Sequence, residues 1–390
     1  MRRENQADQG LDPYSVNNKK MRNLKLDIGQ LLIVGFDGTK MSPRLASLLT
    51  KIQPAGVILF ARNITGAAQT HTLLRECQKC VATPLFTCVD LEGGTVDRFR
   101  NVVGSAPSPA EVFATGSRAL FRKHGRVIGE NCRALGFTVD FAPVLDLASE
   151  ASRPVLSSRA VSDDPKQVVA YAREFLRGLG EAGVLGCGKH FPGLGEATLD
   201  THHELPSVEK PLRELWDEDL LPYRSLSLRR ELPFVMVSHA AFPAVTKARI
   251  PASLSKKWIT GILRKKIGYR GLICSDDLEM GAVLAMGPIE QAMIGHIRAG
   301  GDLGLICHRE DFIQRAHEAL LREVGRDDRF ARRVMESVRR VLAFKSKEAR
   351  GRGRPRHTPP TSARVEKLRR QLWEFGEEIR LATLDREERA

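Results

Sequence analysis

The stretch from Gly271 to Asp277, GLICSDD, is a short uninterrupted apolar run that ends in two aspartates. A continuous apolar run is typical of a strand covered on both faces, as in a parallel sheet, whereas a half-exposed strand alternates apolar and polar residues. Further runs of this kind follow one another along the chain, at residues 56–60, 84–90, 138–146, 183–191, 233–240 and 302–307. The repetition predicts a parallel sheet of seven or eight strands.

Helix-like segments separate these runs. Residues 167–182, QVVAYAREFLRGLGEA, place apolar side chains three and four positions apart, which is the spacing of an amphipathic helix. Strand and helix that alternate in this way through most of the chain favour a closed barrel over a doubly wound sheet. We therefore predict an α/β fold, a TIM-like (β/α)8 barrel that forms a single catalytic domain over residues 24–345, with no second α/β sandwich domain.

Charged and imidazole side chains stand at the ends of the predicted strands. They are Arg62, Asp90, Asp146, Lys189, His190, His239, Asp276 and Asp277. The carboxyl ends of barrel strands meet at one rim, where the active sites of this fold lie. The pattern therefore predicts a functional site at that rim.

The composition limits the class of partner. Lysine and arginine number 61 against 47 acidic residues, which gives a net charge of +14, but much of the excess lies near the two ends of the chain. Basic solvated ends are thus favoured over a nucleic-acid-binding face. No apolar stretch suits a signal peptide or a membrane span, and the seven scattered cysteines suit free thiols in a reducing compartment. We expect a cytoplasmic protein with no membrane partner.

The two end segments differ from the central region. Residues 1–23 are polar and basic without periodicity, which predicts a disordered leader. Residues 346–390 begin as a basic linker rich in proline and glycine, and then form a short amphipathic helix. Its apolar seam consists of Val365, Leu368, Leu372, Phe375 and Ile379. We expect this helix to dock on the barrel or on a protein partner.

The run SDDLEMGA, from Ser275 to Ala282, is the first candidate for chemistry. Paired aspartates at a strand end can supply a nucleophile or metal ligands, and an aspartate there also suits a helix N-cap. Capping explains one of the two aspartates but not both. The run therefore favours a catalytic role.

The run VDLEGGTVDRF, from Val89 to Phe99, is the second candidate. Gly93 and Gly94 permit a tight turn between the acid Asp90 and the base Arg98. A carboxylate accepts and a guanidinium donates hydrogen bonds in fixed geometry, so the pair suits the vicinal hydroxyls of a sugar. A structural ion pair under the turn is the alternative.

The third candidate is the irregular stretch GCGKHFPGLGEATLDTHHELP, from Gly186 to Pro206. Lys189 and His190 end a strand, and Asp200 and His202 follow on a pliable Pro-Gly loop. An aspartate close to a histidine can fix the imidazole tautomer, so the pair can give and take a proton near neutral pH. Two alternatives stay open: an inert loop, or a metal site built from His190, His202, His203 and His239.

Four motifs together resemble the bacterial β-N-acetylhexosaminidases of glycoside hydrolase family 3, the NagZ type. The motifs are GVILFARNI at 56–64, DLEGGTVDRF at 90–99, KHFPGLGEATLDTHHELP at 189–206 and SDDLEMGA at 275–282. The resemblance extends from about residue 28 to residue 344 and includes PASLS at 251–255.

This resemblance implies retaining hydrolysis of terminal β-linked N-acetylglucosamine on a TIM-like barrel, with a small carbohydrate or muropeptide as substrate and with no cofactor or metal. It further implies a place in the recycling of cell-wall peptidoglycan. By position, Asp276 corresponds to the nucleophile, and His202 with Asp200 corresponds to the acid/base. The positions that correspond to sugar-binding residues are Asp90, Arg98, Arg159, Lys189 and His190.

The chain departs from the family pattern in two places. It has Pro192-Gly193-Leu194-Gly195 where the family often has Pro-Gly-His-Gly, and the resemblance does not cover the tail from Ser346 onward. Other functions stay open at this point. They are a phosphorylase or another β-glycosidase on the same scaffold, a metal-dependent hydrolase, and a catalytically silent binding module.

Overall fold

The computed structural model describes residues 27–150, 152, 156–195, 205–351 and 358–389. The strands in this part of the chain are β1 (Leu32–Val34), β2 (Gly56–Ile58), β3 (Phe86–Val89), β4 (Leu91–Gly93), β5 (Val96–Asp97), β6 (Val139–Asp140), β7 (Leu185–Phe191), β8 (Phe234–Val237), β9 (Leu272–Asp277) and β10 (Leu303–Ile306). All except the small antiparallel hairpin β4–β5 form one parallel, closed barrel. Pairing of β1 with β10, with Leu32 opposite Gly304, closes the ring. The predicted TIM-like barrel is confirmed.

Helices cover the outside of the barrel. The described α-helices are α1 (Pro43–Ile52), α2 (Ala67–Lys79), α3 (Arg100–Val103), α4 (Pro109–Ala114), α5 (Arg118–Leu135), α6 (Pro165–Glu181), α7 (Leu212–Asp217), α8 (Leu221–Leu228), α9 (Pro243–Thr246), α10 (Gly281–Leu284), α11 (Ile289–Ala299), α12 (Glu310–Val324), α13 (Asp328–Gly351) and α14 (Ser362–Glu387), and Lys257–Lys266 is a π-helix. None of these helices has the length and apolar content to cross a membrane.

The start of α6 shows how the sequence sets a helix end. The Asp164 side chain accepts a hydrogen bond from the Lys166 N–H at 2.8 Å, and Pro165 occupies the first helical position. An aspartate cap followed by proline satisfies a free N–H and supplies a backbone angle that suits the helix. The helix therefore begins two residues before the predicted Gln167.

The predicted strand at residues 138–146 is shorter in the structure than in the sequence pattern. Only Val139–Asp140 pairs as a strand, because Pro143 has no N–H to give to a ladder. The chain nevertheless stays extended beside β7, since the Cys187 N–H donates to the Ala142 carbonyl at 2.8 Å and the Leu145 N–H donates to the Lys189 carbonyl at 2.6 Å. This course brings residue 146 alongside the carboxyl end of β7.

Aromatic packing joins α13 to the interior of the barrel. Phe344 packs edge-on against Phe86 and Phe234, with ring centroids 6.1 and 5.5 Å apart. Beside it the buried Lys345 donates to the Gln30 side chain at 2.7 Å, and burial lowers the pKa of this lysine to about 7. Apolar side chains from β3, β7, β9 and β10 fill the barrel interior. The polar side chains that could contact a ligand therefore lie at the carboxyl end of the strands, opposite to the end where Phe344 packs.

The helix α14 packs against the outside of the barrel through Leu368, Leu372, Phe375 and Ile379, all of which are buried. The Phe375 ring stacks on the buried imidazole of His124 in α5, with centroids 5.8 Å apart. Hydrogen bonds add to this packing, because Arg369 donates to the carbonyl of Val102 at 3.0 and 2.9 Å. The helix thereby contacts α3, which lies directly after the β4–β5 hairpin.

We predict that Phe375→Ala lowers the free energy of unfolding by about 3 to 5 kcal/mol, the usual cost of removing a fully buried aromatic ring. Trp373→Ala is the matched control, because this aromatic residue lies on the same helix with 68% of its surface exposed; its effect should stay within about 0.5 kcal/mol. Chemical unfolding followed by circular dichroism measures both. Equal losses in the two variants would contradict the described docking of α14.

Candidate active site

The predicted site residues lie around one mouth of the barrel. Asp90 follows β3, Lys189 and His190 belong to the last part of β7, His239 follows β8, Asp276 and Asp277 end β9, and Arg159 lies in a short 3-10 turn, Ser157–Arg159. Each of them reaches the mouth because its strand or connecting segment ends there. The structure therefore brings side chains that are far apart in sequence to the same rim.

A buried carboxylate, Glu92, joins two of the predicted sugar-binding residues. It is 1% exposed and accepts two hydrogen bonds from Arg159, at 2.7 and 2.8 Å. Its other contact is the Lys189 Nζ at 2.6 Å, and Lys189 also donates to Asp90 at 2.9 Å. A bidentate pair to arginine has a fixed geometry. Glu92 thus holds an ammonium and a guanidinium at fixed positions beside Asp90.

Charge within this cluster is mutually stabilised. Burial alone would raise the pKa of Glu92, but Lys189 and Arg159 lower it to about 2. Burial likewise opposes the charge on Lys189, but Asp90 and Glu92 outweigh it and raise the pKa of the lysine above its ordinary value. Glu92, Lys189 and Arg159 are therefore ionised at neutral pH. Such a cluster offers both donors and acceptors to the hydroxyl groups of a sugar.

His190 is held by a second buried carboxylate, Asp146. The His190 Nδ1 lies 2.6 Å from an Asp146 oxygen, and the His190 backbone N–H is 3.2 Å from both oxygens of the same group. Because a carboxylate only accepts, Nδ1 carries the proton. Asp146 also accepts from the Leu194 N–H at 2.8 Å. One carboxylate therefore fixes both the imidazole of His190 and the beginning of the following loop.

The predicted acid/base pair, Asp200 and His202, lies outside the described residues, so its role stays a prediction. The segment that leads to it is described as far as Gly195, whose carbonyl accepts from the Ser149 hydroxyl. Leu194, which replaces the histidine often found in the family, packs against the hydrophobic core. The substitution thus has an apolar environment at the start of the loop.

Asp276 is partly buried, and hydrogen bonding keeps it charged. Its Oδ1 accepts from the Asp277 backbone N–H at 2.8 Å. Burial would raise the pKa of Asp276, but His190, this N–H and Lys189 together lower it below the ordinary value. A carboxylate nucleophile must be ionised to attack. The surroundings of Asp276 meet that requirement.

Arg98 lies beside Phe60, which follows β2. Its guanidinium is 5.8 Å from the centroid of the Phe60 ring, and the same ring has Arg62 at 4.7 Å and a stacked His308 at 5.3 Å. The buried Arg98 Nε has no hydrogen-bond partner among the described residues. The alternative, a structural ion pair of Asp90 with Arg98, is not seen among the described residues, where Asp90 is bonded to Lys189. The fork of Asp90 and Arg98 for sugar hydroxyls stays a prediction.

His239, one of the histidines considered for a metal site, has both ring nitrogens engaged. Nδ1 lies 2.7 Å from the Ser253 hydroxyl and Nε2 lies 2.9 Å from the Asp277 carbonyl oxygen. Among the residues that the structure describes, no group of three or more His, Cys, Asp or Glu side chains is arranged to hold a metal ion.

Two functional carboxylates received no role in the sequence-based prediction. Glu92 stands two residues after Asp90 in extended backbone, so the two side chains lie on the same side of the chain. The spacing of Asp90 and Glu92 could therefore have identified Glu92 as a site residue from the sequence. Asp146 was visible as a residue at a strand end, but its contact with His190 depends on the packing of two neighbouring strands. Apart from its place in the PASLS segment, nothing in the sequence indicated that Ser253 contacts a histidine of the site.

The ionisation of Asp277 should make the stability of the protein depend on pH. Burial and the nearby carboxylates Glu279 and Asp276 raise its pKa to about 7, whereas an unfolded aspartate titrates near 3.9. The folded state therefore holds this proton more tightly, and the resulting stability is complete below about pH 4 and is lost as the pH rises through 7. Asp277→Asn removes this loss. We expect wild-type stability to fall relative to this variant by roughly 2 to 3 kcal/mol between pH 5 and pH 8.

Urea unfolding of both proteins at the two pH values measures the difference. The control is Asp37→Asn, which removes a carboxylate that follows β1 and whose side chain is 80% exposed. Parallel stability curves for wild type and Asp277→Asn would show that the prediction is wrong.

The sequence is similar to known proteins. Residues 23–344 match the glycosyl hydrolase family 3 N-terminal domain. The chain is 36% identical over 287 residues to a β-hexosaminidase of Xanthomonas oryzae pv. oryzae, which covers 72% of this chain and 84% of that protein.

Two solved structures are similar to this chain in fold and in sequence. A glycoside hydrolase family 3 β-N-acetylglucosaminidase from Paenibacillus sp. is 34% identical with a TM-score of 0.81, and the alignment covers 90% of this chain and 68% of the other. NagZ from Neisseria gonorrhoeae, solved in complex with zinc ion, is 28% identical with a TM-score of 0.67 over 82% of this chain and 98% of the other. The chain therefore belongs to glycosyl hydrolase family 3 and is a glycosidase.

Proposed function

We propose that this protein is a retaining exo-β-N-acetylglucosaminidase, a β-hexosaminidase that removes terminal β-linked N-acetylglucosamine. The observation that carries the proposal is the position of Asp276, an ionised carboxylate beside the cluster of Asp90, Lys189 and Arg159 at the mouth of the barrel. Relatives named for hydrolysis of N-acetylhexosamine bonds support the choice of sugar.

The roles follow from the chemistry of retention. Asp90, Lys189, Arg159 and His190 bind the sugar hydroxyls, with Arg98 at the edge of the same mouth. Asp276 attacks the anomeric carbon, so that a bond from carboxylate oxygen to carbon forms while the bond to the leaving oxygen breaks. The product of this step is a covalent glycosyl-enzyme.

Proton transfer falls to His202. Its imidazolium gives a proton to the leaving oxygen, and the neutral imidazole then takes a proton from the water that releases the sugar. Asp200 orients this imidazole and stabilises its charged form. Asp146 supports the arrangement, because it holds the beginning of the loop through the Leu194 N–H.

We further propose that the natural substrates are N-acetylglucosamine-terminated peptidoglycan fragments, as the resemblance to the bacterial family implies. A reducing cell compartment suits the seven free cysteines. Release of N-acetylglucosamine from a purified disaccharide of N-acetylglucosamine and anhydro-N-acetylmuramic acid tests this substrate. No release from the disaccharide, by an enzyme active on the nitrophenyl glycoside, would contradict the assignment.

The first functional prediction concerns the nucleophile. Wild type should release nitrophenol from nitrophenyl β-N-acetylglucosaminide and little from the β-glucoside. Asp276→Ala should lower kcat more than about 10³-fold, since the variant lacks the carboxylate that forms the proposed covalent intermediate. The control is Asp37→Ala, which removes an exposed carboxylate that follows β1. Equal turnover of the two sugars, or an active Asp276→Ala protein, would refute the proposal.

The second functional prediction concerns the acid/base. His202→Ala should lower kcat about 10²- to 10⁴-fold. Azide should restore turnover and give the β-glycosyl azide, because it attacks the glycosyl-enzyme without base assistance. The neighbouring histidine gives the control, His203→Ala, which should keep most of the activity. An α-configured azide would rule out retention, and formation of sugar 1-phosphate in phosphate buffer would make the enzyme a phosphorylase.

A further inference from the structure

We propose that His239 and Ser253 form a positioning pair for Asp276, and that they act through the backbone of Asp277 to fix which carboxylate oxygen attacks the substrate. This inference rests on the proposed function, because it assumes that Asp276 is the nucleophile. Neither residue is expected to contact the sugar. Their effect is to hold the end of β9 in the geometry that the reaction needs.

The first step of the argument is the tautomer of His239. A backbone carbonyl can only accept a hydrogen bond, so the contact of 2.9 Å from Nε2 to the Asp277 carbonyl requires a proton on Nε2. In the neutral ring Nδ1 is then an acceptor, and the Ser253 hydroxyl, 2.7 Å away, donates to it. Burial lowers the pKa of His239, which favours this neutral form.

The second step is the rigidity of the pair. His239 is 3% exposed and Ser253 is fully buried. The PASLS segment is fixed to the end of β8, because the Ser253 N–H donates to the Ser238 carbonyl at 3.0 Å and the Ala252 N–H donates to the Ala240 carbonyl at 2.8 Å. The hydroxyl that orients His239 therefore comes from backbone that is itself hydrogen-bonded to the segment carrying His239.

The third step leads to the nucleophile. His239 fixes the carbonyl of Asp277, and the N–H of the same residue donates to Asp276 Oδ1 at 2.8 Å. With Oδ1 engaged in this way, the other oxygen of Asp276 is left to attack. Because an error of about 1 Å in a reacting group can cost about 10²-fold in rate, a fixed Asp277 backbone matters to catalysis.

The test compares two replacements of the imidazole. His239→Leu removes the donor to the Asp277 carbonyl, whereas His239→Gln places an amide N–H where Nε2 lies. We expect kcat/KM on nitrophenyl β-N-acetylglucosaminide to fall about 10- to 100-fold in His239→Leu and to recover substantially in His239→Gln. Ser253→Ala should change kcat/KM in the same direction by a smaller factor, because it removes only the group that selects the tautomer.

The readouts separate positioning from general damage. Binding of N-acetylglucosamine should stay unchanged in His239→Leu, since Asp90, Lys189 and Arg159 remain in place. The acidic limb of the kcat/KM profile should move to higher pH, because a loosened Asp277 N–H stabilises the Asp276 carboxylate less. Apart from the substituted His239, the charged and titratable groups nearest to Asp276 on the other strands are His190 and Lys189 of β7, and they are the same in all variants.

His317 offers a control, because it is a buried histidine in the outer helix α12. His317→Leu should leave kcat/KM and its pH profile unchanged, whatever its effect on the melting temperature. The proposal is overturned if His239→Leu leaves kcat/KM unchanged as His317→Leu does, or if His239→Leu and His239→Gln lose activity equally. An active Asp276→Ala protein would instead overturn the proposed function, so the two failures are distinguishable.

Discussion

The candidate site depends on one interaction, the contact of the buried Glu92 carboxylate with both Lys189 and Arg159. Removing one charge from a buried cluster of this kind leaves the opposite charges of its partners uncompensated, which usually costs several kcal/mol of stability. Glu92 belongs to the β4–β5 hairpin, Lys189 to β7 and Arg159 to the turn Ser157–Arg159. The three segments are far apart in sequence, so the proposed sugar-binding surface forms only when the barrel brings them together.

A second constraint places the site at one end of the barrel. Strand residues fill the interior, and Phe344 packs with Phe86 and Phe234 among them, where Lys345 also donates to Gln30. The outer helix α14 adds to this frame on the side of α3 and α5, next to the hairpin that carries Glu92. Its contribution to the site is thus indirect, through the packing of the segment behind Arg98 rather than through contact with a ligand.

Much of the fold and part of the site could be predicted from the sequence. Continuous apolar runs such as GLICSDD predicted the barrel, because burial on both faces leaves that pattern, and strand ends predicted Asp90, Lys189 and Asp276 at the rim. The pairing of charges was not predictable. The sequence did not predict that Asp90 bonds to Lys189, a contact that joins the ends of β3 and β7, or that Arg98 lies over Phe60. Such partners depend on tertiary packing rather than on spacing along the chain.

The arrangement around Asp276 also explains how a carboxylate can be both ionised and reactive. Within the described part of the chain, Asp276 has no direct ion pair with lysine or arginine, since Lys189 and Arg159 are both bound to Glu92. Its charge is favoured by His190, by one backbone N–H and by Lys189, which together outweigh burial. A direct bidentate arginine would lower the pKa further but would also occupy the oxygens that must attack. In the proposed reaction, the binding of the strong cations to Glu92 therefore leaves the oxygens of Asp276 available.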